Sequence, residues 1–284
     1  MKKYILLLVI SIFIISCNSI KNEDQEEWIK LFNGKNLDGW DIKITGYNLN
    51  DNYNNTFRVT NGILSASYDN YDNFNGEFGH IFYNEKFSYY KLRIEYRFVG
   101  EQVPGGPGWA FRNSGAMLHS QSAKSMKKDQ SFPTSIEFQL LGGNGSDERP
   151  TANLCTPGTH YEKNGELIKQ HCTNSTSKTF HGDQWVRVEA IVLGDSLITH
   201  IVENDTVLIY SKPQLDTNDA NYESVLKQYG SNFINEGYIS LQGESHPVEF
   251  KKVELLNLKG CTDPKAINYK SYFVKSDNSR CIYK

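Results

Sequence analysis

Pro133-Thr-Ser-Ile-Glu-Phe-Gln-Leu-Leu141 is the stretch of sequence that decides the fold. Its apolar and polar residues alternate, so Phe138 and Leu140 fall on one side of an extended chain and Glu137 and Gln139 on the other. Such alternation is typical of a β-strand that is buried on one face. The segment therefore predicts a strand that packs its apolar side into a core and carries a carboxylate and an amide on its other face.

The segment before it, Phe111-Arg-Asn-Ser-Gly-Ala-Met-Leu-His119, follows the same pattern and places Gly115, Met117 and His119 on one side. The two segments are separated by a connection rich in Ser, Lys and Gln, so they are expected to be neighbouring strands. If so, several polar side chains converge on one surface, namely Arg112, Asn113, His119, Glu137 and Gln139.

The composition favours an all-β chain of moderate charge. Aromatic residues make up 13% of the sequence, with 17 Tyr and 15 Phe, and these residues suit strands and sugar-facing surfaces better than long helices. The 30 Lys and Arg nearly balance the 33 Asp and Glu. Nucleic-acid binding normally requires a clustered basic surface, so the sequence argues against a nucleic-acid partner.

The N-terminus has the layout of an export signal. Lys2 and Lys3 precede an apolar run that ends at Ser16-Cys17, and this run is too short for an ordinary membrane span. The end of the run resembles a bacterial lipobox, in which cleavage leaves the Cys as a lipid-modified N-terminus. We therefore expect a signal peptide over residues 1–16, a lipidated Cys17 and flexible tether over 17–27, and a location in the cell envelope; an ordinary signal peptide with an incidental Cys is the alternative.

The other four cysteines form an even set, which in an exported chain indicates two disulfides. The economical pairing is local, Cys155 with Cys172 and Cys261 with Cys281, although the sequence leaves the other connectivities open. A thiolate metal site is the alternative, but the chain lacks Cys-x-x-Cys and Cys/His spacings of the zinc type.

Short alternating segments continue through most of the chain. Phe87 to Phe98 is one of the clearest, and Asn61-Gly62 and Asn204-Asp205 provide turn signals. Trp185 opens another alternating segment and is expected to be a core residue. Many short strands with little helical period predict a two-sheet antiparallel β-sandwich over residues 28–258. Residues 259–284 are too few for a core of their own and are predicted to be a module stapled by Cys261 and Cys281.

Four ordered pieces of the sequence together resemble the 3-keto-disaccharide hydrolase domain family, a concanavalin A-like jelly roll. The pieces are Leu31–Trp40, Asn113–Gly115, Ile136–Gln139, and Ile239–Glu244 followed by Pro247–Phe250. The resemblance covers about Trp28 to Leu258. The tail is similar to Cys-x-Asp-Pro-x-Ala-x-Asn-Tyr modules of exported Bacteroidetes proteins, and no chemistry is assigned to it.

The family resemblance implies an enzyme that acts on sugars whose 3-hydroxyl has been oxidised to a ketone. A C3 ketone acidifies the C2 proton, and removal of this proton gives an enolate that expels the group at C1 before water adds back. The route needs a base near C2, a donor or cation at the ketone oxygen and an acid for the leaving group. An ordinary glycosidase instead uses a pair of carboxylates, and Glu137 is followed by Gln139, so the strand lacks a second one.

The candidate catalytic residues are Glu137 as general base or ligand, Arg112 at the ketone or enolate oxygen, and His119 and His160 as bases or ligands. Each has a structural alternative: Glu137 and Arg112 as ion-pair partners on a sheet face, and the two histidines as ordinary structural or loop residues.

Gln139, Asn113 and Trp109 are the candidate substrate-binding residues, and they suit an oligosaccharide or glycoside partner. No cofactor is assigned; a divalent metal held by His and Glu is left open, although no paired ligand motif is present. The leading hypothesis is a lipid-anchored hydrolase or lyase of 3-keto-glycosides. The alternative is a non-catalytic carbohydrate-binding or surface-adhesion sandwich, because a fold does not determine a function.

Overall fold

A computed structural model describes residues 25–284. The strands, in chain order, are β1 (Trp28–Lys30), β2 (Trp40–Ile44), β3 (Phe57–Thr60), β4 (Ile63–Ala66), β5 (Gly79–Tyr83), β6 (Tyr89–Phe98), β7 (Asn113–Ser120), β8 (Ile136–Leu141), β9 (Asn153–Cys155), β10 (Thr159–Lys163), β11 (Glu166–Ile168), β12 (Cys172–Thr173), β13 (Val186–Leu193), β14 (Leu197–Val202), β15 (Asp205–Leu215), β16 (Tyr238–Gly243), β17 (Val248–Asn257), β18 (Lys259–Gly260) and β19 (Lys275–Ser276).

The helices are short. The α-helix α1 spans Tyr222–Tyr229, and single 3-10 turns span Tyr53–Asn55, Gly108–Ala110, Ala123–Ser125 and Asn278–Arg280. Helix α1 ends at Gly230, which adopts a left-handed conformation with φ 69° and donates its backbone N–H to the Leu226 carbonyl.

The strands form two large antiparallel sheets that pack face to face. The ten-stranded sheet runs β11-β10-β15-β14-β13-β6-β17-β4-β3, with β1 paired to β17, and the seven-stranded sheet runs β12-β9-β8-β7-β16-β5-β2. The core lies between them, because inward residues of both sheets, such as Ile94 on β6 and Phe138 on β8, belong to one buried apolar cluster. The predicted concanavalin A-like, jelly-roll type of two-sheet β-sandwich is confirmed.

Alternation explains why β6 buries only one side. Tyr90, Leu92, Ile94, Tyr96 and Phe98 are buried, while the residues between them point outward. Charged outward residues of β6, β13 and β17 pair across the strands, as Arg93 does with Glu189 and Arg97 with Glu249. Trp185 also lies on this outer face, where the Arg97 guanidinium is 4.6 Å and the Lys251 ammonium 4.7 Å from its ring. The expectation that Trp185 is a core residue is therefore wrong, because the inward positions of this segment begin at Val186.

A β-bulge near the end of β7 changes the direction of one predicted site residue. Tyr238 on β16 faces Ser120, but Ser240 faces Met117, so β7 has one extra residue here. His119 absorbs the irregularity with a φ of 49°. Its ring then packs edge-on against Tyr90 in the interior, and its Nε2 lies 3.1 Å from the Gly194 carbonyl oxygen. His119 therefore leaves the face that Glu137 shares, contrary to the strict alternation predicted for this strand.

Both local disulfides are present, Cys155–Cys172 and Cys261–Cys281, as predicted. The second joins the ends of the C-terminal tail, where β18 and β19 form a small parallel pair. The predicted signal peptide and Cys17 lie outside the described residues, as does most of the tether. No helix in the described part of the chain has the length and apolar character to span a bilayer.

Candidate active site

A cavity of about 400 Å³ opens on the outer face of the seven-stranded sheet, opposite the core. Its walls combine carboxyl, amide, aromatic and disulfide groups, contributed by Trp109, Asn113, Phe132, Glu137, Gln139, Cys155, Pro157, His171, Cys172 and Glu244. Four of the predicted catalytic and substrate-binding residues thus meet at one place: Glu137, Gln139, Asn113 and Trp109. This partial convergence makes the cavity the candidate active site.

Strand pairing explains how the floor of the cavity is assembled. Residues directly opposite each other in an antiparallel pair share a face. Glu137 faces Met117 on one side and Cys155 on the other, while Gln139 faces Gly115 and Asn153. Gly115 leaves the centre of this floor open, because a Cβ there would lie 2.8 Å from the Glu137 Cγ. The glycine therefore gives the Glu137 side chain room to lean across β7.

Glu244 supplies a second carboxyl group to the cavity, directly after the end of β16. We call Glu137 and Glu244 the acidic pair. Glu137 is 6% exposed and Glu244 is 2% exposed, and within residues 25–284 Glu244 Oε2 has no hydrogen-bond partner. Burial raises the pKa of Glu137, and burial together with the charge of Glu137 raises the pKa of Glu244. The pair thus favours retention of a proton at a pH where an ordinary glutamate is ionised.

A chain of hydrogen bonds orients the Gln139 amide. The Ser175 backbone N–H donates to Asn153 Oδ1 at 2.9 Å, which fixes Asn153 Nδ2 as the donor end of that side chain. Asn153 Nδ2 in turn donates to Gln139 Oε1 at 3.0 Å. The Gln139 amide nitrogen is therefore left as a hydrogen-bond donor at the cavity, a group suited to an electron-rich oxygen of a ligand.

Three aromatic rings form one side of the site, and we call Phe78, Trp109 and Phe132 the aromatic wall. Phe78 stacks on Trp109 with ring centroids 5.6 Å apart and packs against Phe132 at 5.1 Å. Trp109 is 56% exposed and lies in the 3-10 turn Gly108–Ala110, within the Pro/Gly-rich connection before β7. Because its indole borders the cavity, it is placed to cover the apolar face of a bound sugar ring.

The Cys155–Cys172 disulfide lies at the other side of the cavity. It joins the edge strand β12 to its neighbour β9, and the two cysteines face each other in the pairing. Cys155 also faces Glu137, so the bridge stands beside the acidic pair. The chain between β9 and β12 is therefore closed into a loop by a covalent link beside the site.

Three of the predicted catalytic residues lie elsewhere. His119 points inward because of the bulge described above. Arg112 adopts a φ of 43°, and its guanidinium donates to the Gly182 carbonyl and, at 2.8 Å, to Asp183 Oδ1. His160 belongs to β10 of the other sheet and contacts Asp216 at 3.3 Å. The expected convergence of Arg112 and His119 with Glu137 is wrong, and His160 does not border the cavity either.

The sequence interpretation missed Glu244, Phe132 and His171. A signal for Glu244 was present, because Ser240, Gln242 and Glu244 alternate with Ile239, Leu241 and Gly243 and so predict one polar face of β16. Phe132 and His171 lie in connections without a period, and no local pattern marks them. Within the described residues, no group of three or more His, Cys, Asp and Glu side chains is placed to hold a metal ion.

Comparison with solved structures finds similar folds at low identity. Two proteins of Parabacteroides distasonis, provisionally described as glycosyl hydrolases, are similar at 18% identity with a TM-score of 0.48 and at 16% with a TM-score of 0.47. The first alignment covers 82% of this chain and 100% of that one, and the second covers 81% and 94%. A Bacillus licheniformis β-glucanase is similar at 12% identity and a TM-score of 0.44, covering 82% of this chain and 99% of its own. At these identities and TM-scores the likenesses do not extend to activity.

No curated protein matches the chain. The profile of one family, described as the 3-keto-alpha-glucoside-1,2-lyase-like domain, matches residues 27–256. The matched range contains both sheets, the cavity and all residues of its floor. The chain therefore belongs to the 3-keto-alpha-glucoside-1,2-lyase-like domain family.

Proposed function

We propose that this protein cleaves 3-keto-glycosides by removing the proton at C2. The base takes the C2 proton, the electron pair forms an enolate conjugated with the C3 ketone, and the enolate expels the oxygen at C1. The acid protonates this departing oxygen. The product is an unsaturated keto sugar, and addition of water across its double bond completes a hydrolysis. Without that addition the reaction is a lyase reaction.

The acidic pair is the observation that carries this proposal. Two buried carboxyl groups with raised pKa values titrate as a pair, and between their two titration steps one is ionised and the other protonated. The ionised member is suited to accept the C2 proton, and the protonated member is suited to donate to the departing oxygen. The pair thus offers a base and an acid in one cavity.

Gln139 is proposed to assist by binding the developing oxyanion. Its amide nitrogen is the donor left free by the bonds through Asn153 and Ser175. A donor that is already oriented stabilises an enolate oxygen without reorganising during the reaction. Arg112, which was expected in this role, is engaged with Asp183 and is not used here.

An ordinary glycosidase is the competing chemistry, because Glu244 supplies the second carboxyl group that β8 lacks. Family membership favours the ketone route. The test compares two glucosides that share a chromogenic leaving group, one with a C3 ketone and one with a C3 hydroxyl. We expect release from the ketone alone. Release from the hydroxyl form at an equal rate would reject the proposal in favour of an ordinary glycosidase.

A non-catalytic sugar-binding protein is the other competitor, favoured by the exposed stacking surface of Trp109. The substitution Glu137→Gln separates the two, since it removes a titrating group and keeps the shape of the side chain. An enzyme is expected to lose release of the leaving group but to retain sugar binding. Absence of release by the wild type, with sugar binding unchanged in Glu137→Gln, would support the binding protein.

We also propose that Cys17 is lipidated and holds the protein in the cell envelope. The support is the sequence Ile14-Ile15-Ser16-Cys17 at the end of the apolar N-terminal run. Labelled fatty acid is expected to enter the wild-type protein but not Cys17→Ala. Equal labelling of both proteins would overturn the assignment.

A further inference from the structure

His80 and Gln242 lie beside the acidic pair on the same face of the seven-stranded sheet. Gln242 faces His80 across the pairing of β16 with β5. On its other side, Leu241 faces Ala116, so the next position along both strands brings Gln242 opposite Gly115, the open centre of the cavity floor. The polar row on this face therefore continues from Gln139 through Gly115 to Gln242 and His80.

Both side chains are buried without hydrogen bonds. His80 and Gln242 are each 0% exposed, and within residues 25–284 neither ring nitrogen of His80 and neither amide atom of Gln242 has a hydrogen-bond partner. Buried polar groups in folded proteins are normally satisfied, and leaving them unpaired is costly. Two adjacent unpaired side chains on one face indicate a place where a ligand supplies the missing partners.

Phe132 lies between His80 and the cavity. Its half-buried ring borders the cavity and also packs edge-on against His80, with ring centroids 6.0 Å apart. Phe132 lies in the connection between β7 and β8 rather than in a strand. A change in the rotamer of this one ring would uncover the His80 imidazole toward the cavity, with Gln242 opposite it on β16.

The chemistry of the two groups suits a neutral, hydroxyl-bearing ring. Burial and the nearby Lys43 charge lower the pKa of His80 to about 3, so the imidazole is uncharged near neutral pH. A neutral imidazole and a primary amide each present a donor and an acceptor, which a sugar hydroxyl matches in both senses. The aromatic wall adds an apolar surface for the C–H face of the ring.

We propose that His80 and Gln242 form a subsite for the second sugar ring of a disaccharide, entered by displacement of Phe132. The subsite adjoins the acidic pair on the side away from the Cys155–Cys172 disulfide, because β16 and β5 continue the sheet in that direction. This inference rests on the proposed function for its substrate class. It adds the prediction that the protein prefers a disaccharide to a glycoside with a small leaving group.

Binding measurements test the subsite without requiring catalysis. Calorimetric titration compares unoxidised gluco-disaccharides of α and β linkage with the matching methyl glucosides, on the wild type, Gln242→Leu and His80→Phe. Gln228→Leu is the matched control, because the Gln228 amide on α1 is also unpartnered and does not border the cavity. Thermal unfolding of each variant establishes that it is folded.

We expect the wild type to bind at least one disaccharide more tightly than its methyl glucoside. Gln242→Leu and His80→Phe are each expected to raise the Kd of that disaccharide by a factor of roughly 3 to 10. The Kd of the methyl glucoside should change by less than about twofold. Gln228→Leu should change neither. Equal weakening of both ligands, no weakening, or no preference in the wild type would overturn the subsite. Failure to cleave any 3-keto-glycoside would instead reject the proposed function. The binding measurements use unoxidised sugars and do not depend on that cleavage.

Discussion

The outer faces of the two sheets differ in whether their charged side chains are paired. On the ten-stranded sheet, Arg93 bonds to Glu189 and Glu254 at 2.8 Å each, and Arg97 bonds to Glu249 at 2.7 Å. On the seven-stranded sheet, Glu137 and Glu244 line one cavity, and neither forms a salt bridge with another of residues 25–284. Charges that are paired across strands stabilise a surface, whereas charges left together in a buried cavity do not. The comparison indicates that the second face is built for a ligand.

The largest expected difference between the two faces is the loss of activity when a glutamate is replaced. Glu137→Gln and Glu244→Gln are each expected to lower kcat/KM for a chromogenic 3-keto-glucoside by roughly 10²- to 10⁴-fold, the usual contribution of a general acid or base. Glu249→Gln on the opposite sheet is the control and is expected to change it by less than about twofold. An equal loss of kcat/KM in Glu249→Gln and Glu137→Gln would contradict the assignment of the active site to the seven-stranded sheet.

The two disulfides provide a second comparison. Their cysteines are 17 and 20 residues apart in sequence, so chain entropy predicts a similar contribution from each, about 3 kcal/mol. Replacing Cys155 and Cys172 by Ser is expected to weaken substrate binding as well as stability, because that bridge walls the cavity beside Glu137. Replacing Cys261 and Cys281 by Ser should leave KM unchanged. KM values and unfolding midpoints are measured for both double variants. An equal rise in KM in the two would contradict a role in the site for the Cys155–Cys172 bridge alone.

The pH dependence of stability should differ in sign between the faces. The acidic pair has raised pKa values in the native state, so native protein holds a proton that the unfolded chain releases above about pH 4.3. The acidic pair therefore lowers the free energy of unfolding by a growing amount as pH rises from about 4.3 toward the raised pKa values. Glu137→Gln should reduce this cost, and its unfolding midpoint should gain on the wild type between about pH 5 and pH 8.

Glu189 is the opposite case. Burial alone would raise its pKa, but hydrogen bonds from Arg187 and Arg93 outweigh burial and lower it. The stabilisation it provides is present above the ordinary glutamate pKa and is lost as pH falls through the lowered value. Glu189→Gln is expected to cost about 1–2 kcal/mol near neutral pH and less in acid. Denaturant midpoints for both variants over the same pH range would contradict the account if the two trends had the same sign.

The smallest expected effect concerns two tryptophans. Trp109→Ala should raise KM for a sugar substrate roughly 3- to 10-fold, because the exposed indole borders the cavity and its stacking energy is modest. Trp185→Ala removes a ring on the other sheet that is covered by Arg97 and Lys251, and KM should stay unchanged. Equal KM values for the two variants would show that Trp109 does not contribute to substrate binding.

Much of the fold was predictable from local alternation, because strand and face follow from neighbouring residues. The polar face of β8 with Glu137 and Gln139 was predicted in this way. The position of His119 was not, since it depends on a register shift between β7 and β16. The Tyr229 hydroxyl donates to the His119 carbonyl oxygen at the same point, a contact from a distant helix that no local pattern contains.

The second carboxyl group shows the same limit more clearly. The absence of an acidic residue at Gln139 suggested that the site has one carboxylate, yet Glu244 reaches the cavity from β16, on the far side of β7. Strand order in the sheet, which depends on long-range pairing, decides which side chains meet. With two carboxyl groups in the cavity, residue content does not separate the proposed chemistry from that of an ordinary glycosidase, and the fate of the C2 proton does.

Deuterium incorporation at C2 tests the central claim most directly. The wild type is incubated in heavy water with a 3-keto-glucoside, and the recovered keto sugar is examined by NMR and mass spectrometry after correction for exchange in the absence of protein. Removal of the C2 proton followed by addition of water predicts deuterium at C2 in the hydrolysed product, formed by wild type and not by Glu137→Gln. A cleaved product that retains its C2 proton would contradict the account.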